Sequence, residues 1–167
     1  MTGYRQITLQ KDDLVWIERV YHELKVLNGE YPNFYDWYYN KVVKALDNQS
    51  RSIFVVAEGT DIAGVLIAKD YFEKKICTLR VSPQYCHRGI GKLLFEKSFE
   101  LLNTDKPIIT VSEEHVFEFN KLLKYFNFSK EKIYLNYYRR GKAEISYNGF
   151  LNKEAFEKAI NKKAADF

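Results

Sequence analysis

The residues Arg88-Gly89-Ile90-Gly91-Lys92 set two glycines two positions apart, with a cation on each side. They sit inside "SPQYCHRGIGKLL" (82–94), between a strand-like apolar run at 76–81 and a helix-like one. The first four amides of a helix have no carbonyl within it to bond, and the helix end adds roughly half a positive charge. Without Cβ atoms at Gly89 and Gly91, a bulky anion can approach the backbone amides from His87 through Ile90 to Lys92. A diphosphate fits that description. A P-loop does not: Gly91-Lys92 is followed by Leu93 rather than Ser or Thr, and position 86 is Cys. A dinucleotide fingerprint fails as well, because its third glycine falls on Leu94. The alternative is a tight turn that only lets a helix pack close to a sheet. His87 reads as a phosphate contact or as a solvated loop residue.

A second group with chemical potential is Ser112-Glu113-Glu114-His115. Glu113 and His115 could accept a proton. Acidic residues at the start of a helix are also favoured by its dipole, and Ser112 with His115 loosely resembles a capping box. Both readings stay open. His22, His87 and His115 are far apart, and neither Cys-x-x-Cys nor His-x-x-x-His occurs, so no metal is expected. Cys77 reads as inert core, and Cys86 as a loop thiol with little to activate it.

The elements that must position these groups follow from composition and periodicity. A chain of 167 residues, 46% hydrophobic and 16% aromatic, can bury one substantial core. One domain over 1–150 is expected, with 151–167 as its C-terminal helical extension. The formal charge of +4 suits an anionic small molecule as well as nucleic acid. No apolar stretch opens the chain as a signal peptide or span would, so a cytoplasmic protein without disulfides or a membrane partner is expected. The patterns predict a strand at 4–10, a helix with an apolar stripe at Leu14, Ile17, Tyr21, Leu24 and Leu27, and a second helix over 34–48. Phe34 and Trp37 read as core. Three antiparallel strands follow within 52–81, then a helix from 90 to about 103, a short strand at 106–112 and a helix through 119–126. Runs at 132–140 and 142–149 form a hairpin about Gly141, and 151–163 an amphipathic helix capped by Asn152. The order β-α-α-β-β-β-α-β-α-β-β-α implies an α/β (α+β) fold: a mixed, mostly antiparallel sheet with helices on both faces.

The run Val81-Ser82-Pro83, then Arg88-Gly89-Ile90-Gly91-Lys92-Leu93-Leu94, in that element order, resembles the GNAT-type N-acetyltransferase family over about residues 4–150. The resemblance implies acetyl-CoA as acyl donor, bound by the glycine loop. Leu79 and Val81 would pair their backbone groups with the pantetheine arm, and amides near Val81 would form an oxyanion hole. The motif position usually held by Arg or Gln is Cys86. Glu113 and His115 would face the thioester from the fifth strand, with Glu113 the first choice as proton acceptor. A glutamate that some relatives use as base falls on Lys75, and their acid tyrosine falls on Leu123. Tyr125 lies about 200° further around a helix. The acceptor site would lie among the first two helices, where Glu30 could attract an amine and Tyr31 could wall it. A lysine-like amine, with pKa about 10.4, is only about one part in a thousand neutral near pH 7.4, whereas an α-amine near about 8 is far less penalised. The implied function is transfer of an acetyl group to the primary amine of a small molecule by direct attack. Alternatives are a protein or aminoacyl-tRNA amine, or a non-catalytic acyl-CoA sensor. No nucleic-acid partner is expected, and a homodimer stays open.

Overall fold

The structure, a computed structural model, describes residues 3–151. The helix expected over 151–163 therefore lies outside the described residues beyond Leu151. The chain groups into two compact units, Met1–Pro107 and Ile108–Phe167. As expected, both combine antiparallel strands with helices.

The first unit holds β1 (Arg5–Thr8), α1 (Leu14–Leu24), α2 (Phe34–Trp37), β2 (Arg51–Glu58), β3 (Asp61–Tyr71), β4 (Glu73–Val81) and α3 (Ile90–Leu102). Its strands pair antiparallel in the order β1-β2-β3-β4. One face carries Ile53, Val55, Ala57, Val65 and Ile67, which pack with Ile17, Val20 and Leu24 of α1 and with Phe34 and Tyr38. The opposite face receives α3. The buried stripe of α1 differs from the predicted one: Val20 is in it, and Leu14 is exposed at the first helical position. The helix also stops at Leu24 and tightens into a 3-10 turn, Lys25–Gly29.

The second helical region runs to Leu46, but not as one helix. After α2 come a π turn, Tyr38–Val42, and a 3-10 turn, Val43–Leu46. Phe34 and Tyr38 are buried, and Trp37 packs partly against the core. The Tyr38 hydroxyl donates to the carbonyl of Ile17 at 2.7 Å, tying this region to α1. Burial first, then neighbouring Tyr39, pushes the Tyr38 phenol far above its ordinary pKa, so it stays a neutral donor.

The second unit holds β5 (Ile108–Ser112), α4 (Val116–Tyr125), β6 (Lys130–Leu135) and β7 (Ala143–Tyr147), with strand order β5-β7-β6 and antiparallel pairing. Asn127 closes α4 in the left-handed conformation (φ 56°), which asparagine tolerates better than most residues at a helix end. The Phe128 amide bonds Leu123 O at 2.8 Å, and the Asn127 amide bonds Lys124 O at 3.1 Å. The last hairpin is looser than predicted. β6 ends at Leu135 because Asn136 turns left-handed (φ 58°), and its Oδ1 accepts the Gly141 amide across a loop that replaces the strand expected as far as residue 140.

Candidate active site

Strand β4 changes character midway. Ala68 pairs with Ile76 and Ile67 with Thr78, so an extra residue at Cys77 makes a bulge. Beyond it, Leu79 and Val81 lie opposite Leu66 and Gly64. That face meets α3, because a Cβ on Gly64 would stand 2.7 Å from Ile90 Cγ2 and 3.1 Å from Leu94 Cδ1. The close-packing role considered for the loop glycines is met here by Gly64.

The chain leaves β4 through Ser82, whose amide bonds Ala63 O at 2.9 Å. Pro83 opens a 3-10 turn, Pro83–Tyr85, and the Cys86 amide returns to Pro83 O at 3.3 Å. His87 (φ 62°) and Gly89 (φ 81°) then adopt left-handed conformations, and α3 starts at Ile90. The left-handed region is routine for glycine and costs His87 roughly 1–2 kcal/mol. The first amide taken into the α3 ladder is that of Leu93, bonded to Gly89 O at 3.1 Å. The amides of Ile90 and Gly91 precede it, directly after the exposed Gly89, although the Ile90 side chain is buried. Cys86, His87 and Arg88 are exposed too, and the Cys86 thiol donates to Ser82 O at 3.8 Å. Arg88 is held in place: its guanidinium lies 5.3 Å from the Tyr85 ring centroid and hydrogen bonds Tyr4, which raises its pKa. Tyr85 in turn donates to Glu58 Oε2 at 3.1 Å. Backbone donors, an oriented cation and a pair of glycines make a corner fit for a diphosphate.

Glu30 and Tyr31 are in the first unit, just after the 3-10 turn, with both amides on Leu27 O at 2.9 Å. Glu113 and His115 are in the second. The Glu113 amide donates to Ala143 O at 3.0 Å, and its Oε1 accepts the Ala143 amide at 3.3 Å, fastening the start of β7. His115 is the residue before α4; its Nδ1 is 3.3 Å from Glu118 Oε1. The loop between β6 and β7 is basic, with Arg139, Arg140 and Lys142. Lys142 (2.8 Å) and Arg139 (3.3 Å) both hold Glu114, and hydrogen bonds from Lys142, then Arg139, keep that carboxyl below its ordinary pKa.

Sequence reasoning missed the charged groups that β4 turns toward α1 and α2. Glu23 of α1 takes the Ser82 hydroxyl at 2.6 Å and Arg80 Nε at 3.3 Å on the same oxygen, Oε1. This pair pins α1 to the end of β4 beside the glycine corner. Glu23→Ala should lower stability by roughly 1–2 kcal/mol, since it strands a partly buried guanidinium, and Glu23→Gln should lose less. Urea denaturation of the two variants checks this; equal losses would mean the charge pair contributes nothing. Alternation along β4 hints at the arrangement, but which strand partners it meets depends on the bulge.

The acetyltransferase (GNAT) family model matches residues 11–121, and the chain belongs to that family. Its fold is shared with solved structures of low sequence identity. A Bacillus subtilis acetyltransferase in complex with CoA is 14% identical, with a TM-score of 0.62 over 89% of this chain and 99% of that one. The spermidine/spermine N-acetyltransferase of Vibrio cholerae is 15% identical (TM-score 0.59; 88% and 93% covered). The ribosomal-protein-S18-alanine N-acetyltransferase of Escherichia coli is 17% identical (TM-score 0.59; 90% and 97% covered). No curated protein matches the chain in sequence. Among the described residues, no helix is long and apolar enough to cross a membrane.

Proposed function

We propose that the protein is an acetyl-CoA-dependent N-acetyltransferase that acetylates the primary amine of a small molecule. The observation that carries this reading is the corner after β4, where Gly89 turns left-handed and the amides of Ile90 and Gly91 come before the first amide of the α3 ladder, that of Leu93. Those amides and Arg88 hold the diphosphate, while the backbone of Leu79 and Val81 aligns the pantetheine arm as an added strand would. Bound acetyl-CoA supplies a thioester; the amine forms the new C–N bond as the C–S bond breaks, and the amine's proton passes to a base or water. The CoA-bound neighbour supports the donor. The acceptors in the names of two of the neighbours above, a polyamine and a protein alanine, differ too much to choose one.

Glu113 and His115 are the proposed proton acceptors, and Glu30 and Tyr31 the proposed acceptor contacts. Glu113→Gln should shift the acid limb of the pH–rate profile if Glu113 takes the proton, and should leave β7 anchored because the amide side chain keeps an acceptor for Ala143. A superimposable profile removes it from the mechanism. Leu123 is buried and apolar, and Tyr125 is exposed on α4, so water is the proposed source of any proton for the leaving thiolate. A thiol of pKa about 8.5 leaves tolerably without one. Thiol release from acetyl-CoA with mixed amines, alongside calorimetric CoA binding, tests the function: release supports it, and binding without release makes the protein a sensor.

A further inference from the structure

Two consecutive residues leaving β5 grip two consecutive residues entering β7. The Glu113 amide donates to Ala143 O at 3.0 Å, and the Ala143 amide returns to Glu113 Oε1 at 3.3 Å. One residue further out, Lys142 Nζ lies 2.8 Å from Glu114 Oε1, and Arg139 Nη1 reaches the two Glu114 oxygens at 3.3 and 3.4 Å. The two cations differ in freedom: the Arg139 side chain is 19% exposed and that of Lys142 44%. The Lys142 backbone is fixed, its carbonyl by the Asn136 amide at 3.0 Å and its own amide on Arg139 O at 3.3 Å, so only its side chain can swing. That ammonium feels both carboxylates. Its hydrogen bond to Glu114 raises its pKa first and the Glu114 charge next, and the Glu113 charge adds to both while burial opposes them.

An opposite charge within about 4–6 Å favours the ionised form of a carboxylate and weakens its hold on a proton by roughly tenfold or more. Glu113 Oε1 is engaged by the Ala143 amide, which leaves Oε2 as the oxygen for a proton. A Lys142 ammonium drawn onto Glu113 would occupy that oxygen and make the residue a poorer base. Lysine has the flexible four-carbon stem such a move needs. We propose that Glu114 is a positioning residue for acetyl transfer: by binding Lys142 it keeps the ammonium off Glu113, so that Glu113 stays able to take the proton of the amine. This rests on the reading of Glu113 as proton acceptor. Arg139, the more buried cation, holds Glu114 in place for the task.

Glu114→Gln keeps the shape of the side chain and removes its charge. In the full-length protein, with a mixture of ethanolamine, glycine methyl ester and spermidine as acceptors, it should lower kcat at least about fivefold and leave the KM for acetyl-CoA within about twofold. Adding Lys142→Met, which takes away the cation but not the chain length, should bring kcat back to within about twofold of the wild type. Loss of a merely structural support would not be regained by a second deletion, and urea unfolding shows that each variant folds. A crystal structure of Glu114→Gln should have the Lys142 ammonium within hydrogen-bond reach of Glu113. A double variant as slow as Glu114→Gln overturns the proposal, and so does a crystal structure with Lys142 still away from Glu113; the latter decides even where turnover is too slow to compare. Glu113→Gln separates the two ideas. If it lowers kcat while Glu114→Gln does not, only the role of Glu114 falls; if it leaves kcat unchanged, the reading of Glu113 falls and takes the proposal with it.

Discussion

Replacing Gly91 with glutamate should abolish coenzyme A binding while leaving the protein folded. Gly91 is the second residue of α3 and does not have a positive φ, so a side chain there meets no backbone strain. Glycine to glutamate within a helix gains a few tenths of a kcal/mol in propensity, and a carboxylate in the first turn gains about 0.3–1 more from the dipole. Stability should therefore hold or rise. The same carboxylate stands where the diphosphate would lie. Two like charges about 4 Å apart near a protein surface repel by on the order of 4 kcal/mol, close to a thousandfold in affinity. Gly91→Ala, which adds bulk without charge, should lose only a few-fold. Calorimetry on the three proteins reads this directly, and a Gly91→Glu affinity within about threefold of wild type, close to 0.7 kcal/mol, would refute the assigned corner.

The second large effect is expected at Gly64, which touches no ligand. A methyl group there would come within 2.7 Å of Ile90 Cγ2 and 3.1 Å of Leu94 Cδ1, and both residues are fully buried on α3. Neither can swing into solvent, so Gly64→Ala should push α3 away from β3 at a cost of roughly 1–3 kcal/mol. Ile90 is the first residue of that helix. Its displacement moves the open amides too, so coenzyme A affinity should fall together with stability. Urea unfolding and a coenzyme A titration on one preparation test the coupling. Lost stability with unchanged affinity would separate the corner from the packing beneath it.

Much of this architecture is legible in the sequence because it rests on local signals. Strand alternation ending in Ser82-Pro83, followed by glycines and the stripe Ile90, Leu93, Leu94, Ser98, Leu101 and Leu102, marks the β4–α3 corner; the structure buries Ile90, Leu94, Ser98 and Leu102 and leaves Leu93 and Leu101 partly exposed. Asn127, after the apolar stripe of α4, suits a left-handed helix end because asparagine tolerates that conformation. Leu14 misled the reading of α1 because it fits the spacing yet sits at the first helical position, with no turn before it to bury it. The π turn at Tyr38–Val42 leaves no mark in the pattern, since its apolar residues suit an ordinary helix. The pairing of Glu114 with Lys142 is hidden for a different reason. The two meet only because the register of β5 on β7 sets Ser112 opposite Glu144, and nothing local to either segment announces it. Composition contains those charges but not their adjacency.

Amide chemical shifts in an isotope-labelled sample titrated with coenzyme A test the central claim most directly. The largest changes should fall on Arg88, Gly89, Ile90 and Gly91, with smaller ones along Leu79 and Val81. Coenzyme A that binds while those four resonances stay still, or that does not bind at all, would contradict the account.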